Sequence, residues 1–241
     1  MSGVKMREGR RLFRGLMVAM AVTSVAAVAA CGGPKQDDAS ASPAAVTSAT
    51  PTPTSQPLND TRAAAALATG GIGVGELPGM RPLGAPVTRL DSPTLGGLCG
   101  TADAGMSSEK LRMARRQLVW SAGRDEFVSE ERVVYQQGGV QAALKDLQRA
   151  ATTVCPDRIG VAAAPASAKL PAGSMAFSSK DAKQGGPGMD SYAVPVGNQL
   201  LVVLWSNWTM SPEPVAIRTA LAKARAVVVQ REKPTLQALA G

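Results

Sequence analysis

The chain has 241 residues, of which 26 are basic and 18 acidic, and it contains no histidine. The lack of histidine excludes His-based catalytic triads, histidine metal ligands and the usual general base at neutral pH. The formal charge is +8, but residues 1–30 hold five of the basic residues and one acidic residue, so the rest carries only +4, too little to indicate nucleic-acid binding.

The first 30 residues have the pattern of an export signal. A basic segment up to Arg14 is followed by the uncharged apolar run Leu16–Ala30, which has 15 residues. A membrane-spanning helix needs about 20 residues, so this run is typical of a signal peptide. It ends in small residues and a cysteine, Val28-Ala29-Ala30-Cys31.

That ending resembles the lipobox of bacterial lipoproteins. In that family the cysteine thiol receives a diacylglycerol group, and the chain is then cut before the cysteine. The resemblance implies that Cys31 is lipidated and that the protein is held on the extracytoplasmic face of the cell membrane, since two acyl chains suffice for stable anchoring. The alternative is an ordinary secretory signal with an Ala-x-Ala cleavage site, in which Cys31 is incidental.

Composition divides the remaining chain into three parts. Residues 31–60 are rich in Pro, Ser, Thr and Ala and lack the apolar surface needed to offset chain entropy, which predicts a disordered linker. Residues 61–233 have a length that suits one domain. Residues 234–241 are predicted to be a frayed tail.

Alternating and continuous apolar runs predict the strands. Residues 111–135 and 191–207 are predicted hairpins, the second turning at Gly197-Asn198. A short strand is predicted at Ser174–Ser178. Leu200 to Trp205 are apolar at both parities, which is typical of a central strand covered on both faces or with one face lining a cleft.

Three segments have helical patterns. A short helix is predicted at Thr61–Leu67. The clearest helix follows Gly138-Gly139, with apolar residues at three-four spacing from Val140 to Val154 and a proline at its end. The last helix is predicted to begin at Ser211-Pro212, with the serine as N-cap.

These elements together predict an α+β fold. The sheet is expected to be mainly antiparallel because hairpins dominate, with two helices packed on one face of a single domain. The last helix is expected to bury a stripe from Ile217 to Val228 and to turn Arg218 and Arg225 to solvent.

Three cysteines are present. If Cys31 carries lipid, Cys99 and Cys155 remain as a pair in an oxidising compartment, which predicts a disulfide bond between them. Two buried thiols are the alternative. No Cys-x-x-Cys motif indicates a redox or metal role.

The order and spacing of these features resemble the PknH-like extracellular sensor domains of a mycobacterial Ser/Thr kinase and related actinobacterial lipoproteins. The features that match are Gly75-Glu-Leu-Pro-Gly79, Cys99 before the first hairpin, Cys155 at the end of the clearest helix, and the Gly197-Asn198 hairpin before a terminal helix. The resemblance implies an α+β domain with a groove that binds an external ligand. Members of this family often have two disulfides, whereas this chain has cysteines for one.

Motifs for catalysis are weak. Ser107-Ser-Glu-Lys110 matches the Ser-x-x-Lys of penicillin-interacting enzymes, but no Lys-Thr-Gly follows. Gly71-Ile-Gly73-Val-Gly75 lacks the spacing of a nucleotide-binding loop and is read as an ordered loop. Glu130 and Glu131 are adjacent on a strand and point to opposite faces, so they cannot face each other across a hydrolase cleft. We expect no enzyme activity, catalytic residue, metal or cofactor.

Basic side chains cluster at the start of the first hairpin. Arg112, Arg115 and Arg116 are typical of a solvated strand end. The functional alternative is contact with anionic headgroups or wall polymers.

Aromatic residues are the candidates for a binding surface. Trp120, Tyr192 and Trp205 are predicted to line a ligand groove on the sheet face that helices leave free, with core packing as the alternative.

The sequence therefore favours a membrane-anchored, non-enzymatic lipoprotein with a ligand-binding or sensor-like domain. Its expected partner is a small molecule, a lipid or an envelope protein, and not nucleic acid. The alternative is a structural or protein-interaction lipoprotein of the cell envelope without a small-molecule ligand, for which an exposed apolar patch is the expected feature.

Overall fold

The structure is a computed structural model that describes residues 57–73, 75–91, 106–163, 170–180, 188–209 and 213–240. The predictions for the signal peptide, Cys31, most of the linker and Cys99 lie outside these residues. In the described part of the chain, no helix combines the length and the hydropathy of a membrane span.

The helices of the described residues are α1 (Asp60–Leu67), α2 (Gly139–Arg149), α3 (Val215–Arg231) and α4 (Lys233–Ala240). The strands are β1 (Arg81–Pro82), β2 (Arg112–Ser121), β3 (Phe127–Tyr135), β4 (Ile159–Ala162), β5 (Met175–Ser179), β6 (Gly188–Val196) and β7 (Leu200–Trp208). A 3₁₀ turn at Ser107–Leu111 precedes β2, and a π-helical turn at Ala150–Val154 follows α2.

All seven strands form one sheet in the order β1-β2-β3-β7-β6-β5-β4, and each neighbouring pair is antiparallel. The hairpins β2–β3 and β6–β7 pair through β3 and β7, so Val133 lies opposite Leu201 at the centre of the sheet. This arrangement confirms the predicted α+β class and the mainly antiparallel sheet.

The two faces of the sheet have separate cores. Even-numbered residues such as Val134 and Val202 pack with α1, α3 and α4. Odd-numbered residues such as Val133 and Leu201 pack with α2. The two helices predicted to pack on one face, α2 and α3, lie on opposite faces. The physical reason is that β7 is buried from Leu200 to Leu204 at both parities, so apolar cover is needed on both faces.

The end of the clearest helix also differs from the prediction. α2 ends at Arg149 and continues as the π-helical turn, which adds one residue to the repeat. The wider turn rotates Val154 away from the core, and its side chain is 50% exposed instead of buried. Cys155 follows directly and is buried.

The C-terminal region is more ordered than expected. Residues 233–240, which fall almost entirely in the predicted tail, form α4 and bury Thr235 and Leu239. Arg62 of α1 donates to the carbonyl oxygens of Ala238 at 3.2 Å and Leu239 at 3.0 Å. These bonds satisfy carbonyl groups that the end of a helix leaves without partners.

Helix α3, which precedes α4, starts later than predicted. α3 begins at Val215 with Pro214 as its N-cap residue. The predicted start, Ser211-Pro212, lies outside the described residues. β4 was not predicted, because its four residues are too short to give a repeating pattern.

Candidate functional site

The three aromatic residues predicted to line a groove do not share a surface. Trp120 and Tyr192 lie on the even face and are buried in its core. Trp205 has the opposite parity and makes an edge-to-face contact with Phe127, with ring centroids 6.2 Å apart. Because helices pack on both faces, the face on which the groove was placed is not free, and that location is wrong.

Tyr192 is held by a cation. The guanidinium carbon of Arg225 lies 4.6 Å from the centroid of the Tyr192 ring, a cation–π contact. Burial raises the pKa of the Tyr192 hydroxyl. Arg225 was predicted to face solvent, but it is half-buried and its guanidinium lies over the ring.

A cavity of about 370 Å³ lies between α1, the first residues of β2 and the segment at residues 88–90. Its apolar lining residues are Ala64, Leu67, Leu90, Met113 and Ala114, and its polar ones are Asp60, Thr61, Thr88, Arg115 and Arg116. A cavity of this size that combines apolar and polar lining residues is large enough for a small molecule.

Local chemistry positions the helix that forms one wall of this cavity. The Asn59 side chain caps α1 by accepting a hydrogen bond from the Arg62 backbone N–H at 2.9 Å. Ala63, Ala66 and Leu67 then face the core, which leaves Ala64 exposed on the side of the cavity.

The three arginines of the predicted basic cluster have different surroundings. Arg112 pairs with Glu109 and donates to the Leu90 carbonyl oxygen at 2.6 Å. Arg115 is buried and pairs with Glu131. Arg116 is half-buried, and no hydrogen bond or ion pair of its side chain occurs among the described residues.

The Arg115–Glu131 pair belongs to a buried polar network on the odd face. Arg115 also donates to the Gln117 side-chain oxygen at 2.8 Å and to the Arg89 carbonyl at 3.1 Å, and Gln117 donates to the Ser129 hydroxyl at 3.1 Å. Burial raises the pKa of Glu131 to about 7, against the opposing effect of Arg115.

A second charged network lies on the even face, where β3 meets the junction of α3 and α4. Arg132 pairs with Glu232 at 2.7 Å, and both side chains are buried. The Arg132 guanidinium also donates to the Thr235 hydroxyl at 2.6 Å and to the carbonyl oxygen of Leu67 at 2.9 Å. Arg132 therefore ties β3 to α1, to the α3–α4 junction and to α4.

Glu130 lies in the same region as Arg132. Its carboxylate accepts the backbone N–H of Ile72 at 2.9 Å. Burial raises the pKa of Glu130 to about 7. Glu130 and Glu131 belong to separate networks on opposite faces, as predicted, so they do not form a carboxylate pair.

The glycines after α1 permit the close approach of this loop. Gly70 and Gly71 have φ of 66° and 76°. A Cβ on Gly71 would lie 2.9 Å from both the Arg132 guanidinium and the Glu130 carboxylate. Gly70 and Gly71 therefore allow the backbone of this loop to lie against buried charges.

The Ser-x-x-Lys motif has a structural role in this fold. Its residues form the 3₁₀ turn, and the Asp146 carboxylate of α2 accepts the Ser108 N–H at 2.9 Å and its hydroxyl at 2.8 Å. Ser107 also donates to Asp146. Both serine hydroxyls are thus bonded to a carboxylate that anchors the turn to α2.

Sequence reasoning missed the charged networks and the cavity. Glu130, Glu131 and Arg132 are charged residues in the middle of a strand with apolar ends, and that pattern is the signal that points to buried, paired charges. The cavity had no signal, because its walls come from three separate segments. Within the described ranges, no group of three or more His, Cys, Asp or Glu side chains is placed to hold a metal ion.

The fold thus defines an α+β domain with one antiparallel sheet between helices. No family model matches the sequence, and no curated protein matches it significantly. Among solved structures, the extracellular domain of PknH from Mycobacterium tuberculosis is similar, with a TM-score of 0.38 and 17% identity, covering 72% of this chain and 92% of that one.

Proposed function

We propose that this protein is a lipid-anchored, extracytoplasmic and non-enzymatic domain that binds a ligand in the cavity between α1 and β2. The observation that carries the proposal is the cavity itself, about 370 Å³ in volume and lined by five apolar residues together with five polar ones, two of which are arginines. Sites that hold small molecules combine apolar surface with polar groups that orient the ligand.

The proposed anchor is a diacylated Cys31. It is supported by the basic segment, the short apolar run and the small residues before the cysteine. Labelling cells with an alkyne fatty acid tests it, since the wild-type chain should take up the label and Cys31→Ala should not. A labelled Cys31→Ala protein would rule out acylation of Cys31 as the source of the label.

We also propose the Cys99–Cys155 disulfide, which would tie the end of the π-helical turn to the segment before β2. If Cys31 carries lipid, Cys99 and Cys155 are the two cysteines that remain, and disulfides form readily in exported proteins. Alkylation without reductant followed by mass measurement should find neither thiol modified. Two alkylated residues would refute the bond.

The ligand-binding proposal is tested by filling the cavity. Ala64 lines the cavity and is exposed, so Ala64→Trp places an indole there without disturbing the buried face of α1. Ala65→Trp is the matched control, because Ala65 is exposed on the same helix and is not a lining residue.

The measurement is native mass spectrometry of the mature chain purified from an actinobacterial host. A bound mass should leave the wild type on denaturation, persist in Ala65→Trp and be absent from Ala64→Trp. Equal retention by the two variants, or an empty wild type, would contradict ligand binding in this cavity.

A protein-interaction role is the second candidate, and one observation favours it. Leu83, Val87 and Leu90 are exposed by 51, 41 and 39% on the segment beside β2. Exposed apolar side chains grouped in one segment are typical of contact surfaces. Photo-crosslinking from position 83 in cells should capture an envelope protein if this role is correct.

A further inference from the structure

We infer that the cavity between α1 and β2 takes an anionic amphiphile, with its acidic head on Arg116 and its alkyl chain against α1. This inference rests on the proposed function, because it names the ligand class of the same cavity. It follows from the charge of Arg116, from the partners that already bind the neighbouring Arg115 and Arg132, and from the apolar residues that line the cavity.

Arg116 is the cavity's available cation. The other lining arginine, Arg115, already meets Glu131, Gln117 and the Arg89 carbonyl oxygen. Arg116 is half-buried, and among the described residues no acid or carbonyl group bonds its guanidinium. A planar guanidinium with five donors binds carboxylate or phosphate groups well, and it does so more strongly where water is partly excluded.

The strand register places a second arginine beside Arg116. Arg116 lies opposite Arg132 in the β2–β3 pairing. Arg132 has its own buried carboxylate in Glu232. Arg116 has no bonded acid among the described residues, so an anion in the cavity would give it a direct partner.

The remaining walls suit an alkyl chain. Leu67, Met113 and Ala114 are buried apolar residues that line the cavity, and exposed Leu90 extends the apolar surface to its edge. Methionine and leucine adapt to flexible aliphatic groups, and each buried methylene favours binding. A small hydrophilic anion would leave this surface unused, so the walls favour an amphiphile.

One acid also lines the cavity. Asp60 begins α1 and is exposed, so its charge is solvated but still repels an anion nearby. Asp60→Asn should therefore strengthen the binding of an anionic head by a few fold. This gain is expected only if the head lies inside the cavity.

The test is isothermal titration of the mature chain with four ten-carbon probes used below their micelle concentrations. Decanoate and decyl phosphate carry anionic heads, decanol is neutral and decyltrimethylammonium is cationic. The anions should bind and the cation should not. Comparing the two anions shows whether a carboxylate or a phosphate source fits better.

Two arginine variants test whether Arg116 binds the acidic head group of the probe. Arg116→Gln should weaken decanoate by roughly 10- to 100-fold and leave decanol unchanged, because a charge-assisted bond is lost while the walls remain. Arg81→Gln is the matched control, since Arg81 is an exposed arginine of β1 that does not line the cavity. It should bind decanoate like the wild type.

Three results would overturn the inference: equal affinity for decanol and decanoate, equal effects of the two arginine variants, or no binding of either anion. These failures are distinct from failure of the proposed function. If Ala64→Trp still removes a co-purified mass while the anions do not bind, the cavity binds another class of ligand.

Discussion

Gly188 and Trp208 are paired across β6 and β7, and no larger residue fits at position 188. A Cβ on Gly188 would lie 2.0 Å from Cε2 of the Trp208 indole, which is buried in the even-face core. We predict that Gly188→Ala lowers the free energy of unfolding by about 1–3 kcal/mol, because overpacking forces the ring from its position. Urea denaturation measures the change.

Gly160 offers the matched control for that substitution. It lies in β4, and a Cβ there would meet only the flexible Lys180 side chain, at 3.6 Å. Gly160→Ala should change the free energy of unfolding by less than about 0.5 kcal/mol. Similar losses in both variants would show that the Trp208 contact does not determine the effect.

Arg132 is the residue with the most buried polar partners on the even face. We predict that Arg132→Met lowers the free energy of unfolding by about 3–5 kcal/mol, since Glu232 would keep a buried charge without its cation. Arg124→Met is the control, because Arg124 is exposed in the β2–β3 turn. A loss equal to that of the control in urea denaturation would mean that the ion pair contributes nothing net.

At the scale of elements, β3 places two carboxylates in separate cores. Burial raises the pKa of Glu130 and of Glu131 from 4.5 to about 7. The folded protein therefore binds more protons than the unfolded chain between these two values, and stability present below pH 4.5 is lost as pH rises through 7. Burial also raises the pKa of Asp190 and Glu213, which adds to this trend.

We predict that the protein is more stable at about pH 5.5 than at about pH 8. One pKa unit corresponds to about 1.4 kcal/mol, so the contribution of Glu130 that is lost between pH 5.5 and pH 8 is about 2 kcal/mol. Urea denaturation across this range should show that the free energy of unfolding falls less steeply with pH in Glu130→Gln than in the wild type. Glu126→Gln, in the β2–β3 turn, should keep the wild-type slope, and an unchanged slope in Glu130→Gln would contradict the assignment.

At the scale of the whole molecule, the two ends of the described chain hold each other. Arg62 of α1 bonds to the last carbonyls of α4, and Thr235 of α4 bonds to Arg132. Leu239 adds apolar contact to the same core as α1. The domain therefore needs its C-terminal helix for the even-face network to be complete.

We predict that ending the chain after Glu232 lowers the free energy of unfolding by about 2–5 kcal/mol, the range for losing a buried leucine. A lower urea midpoint measures this loss. Gln237→Ala is the control, because Gln237 is exposed on α4. A truncated chain as stable as the wild type would mean that α4 behaves as the frayed tail predicted from sequence.

Local patterns predicted much of the sheet. The β2–β3 and β6–β7 hairpins follow from alternating residues around short turns, and the buried part of α2 follows from its three-four spacing. Predictions failed at Val154 and at residues 233–240, where a π-helical turn and a docked helix depend on distant contacts. The aromatic groove failed because side-chain parity within a strand does not reveal which helix covers each face.

The sequence by itself determined the strand pairs near each turn, the opposite orientation of Glu130 and Glu131, and the composition of the N-terminal segment. These properties depend on neighbours within a few residues. Only the tertiary structure decided which faces the helices cover, which of Arg115 and Arg116 is neutralised, and where a cavity remains. Those outcomes depend on the docking of segments as distant as α1 and α4, and local sequence carries no information about that geometry.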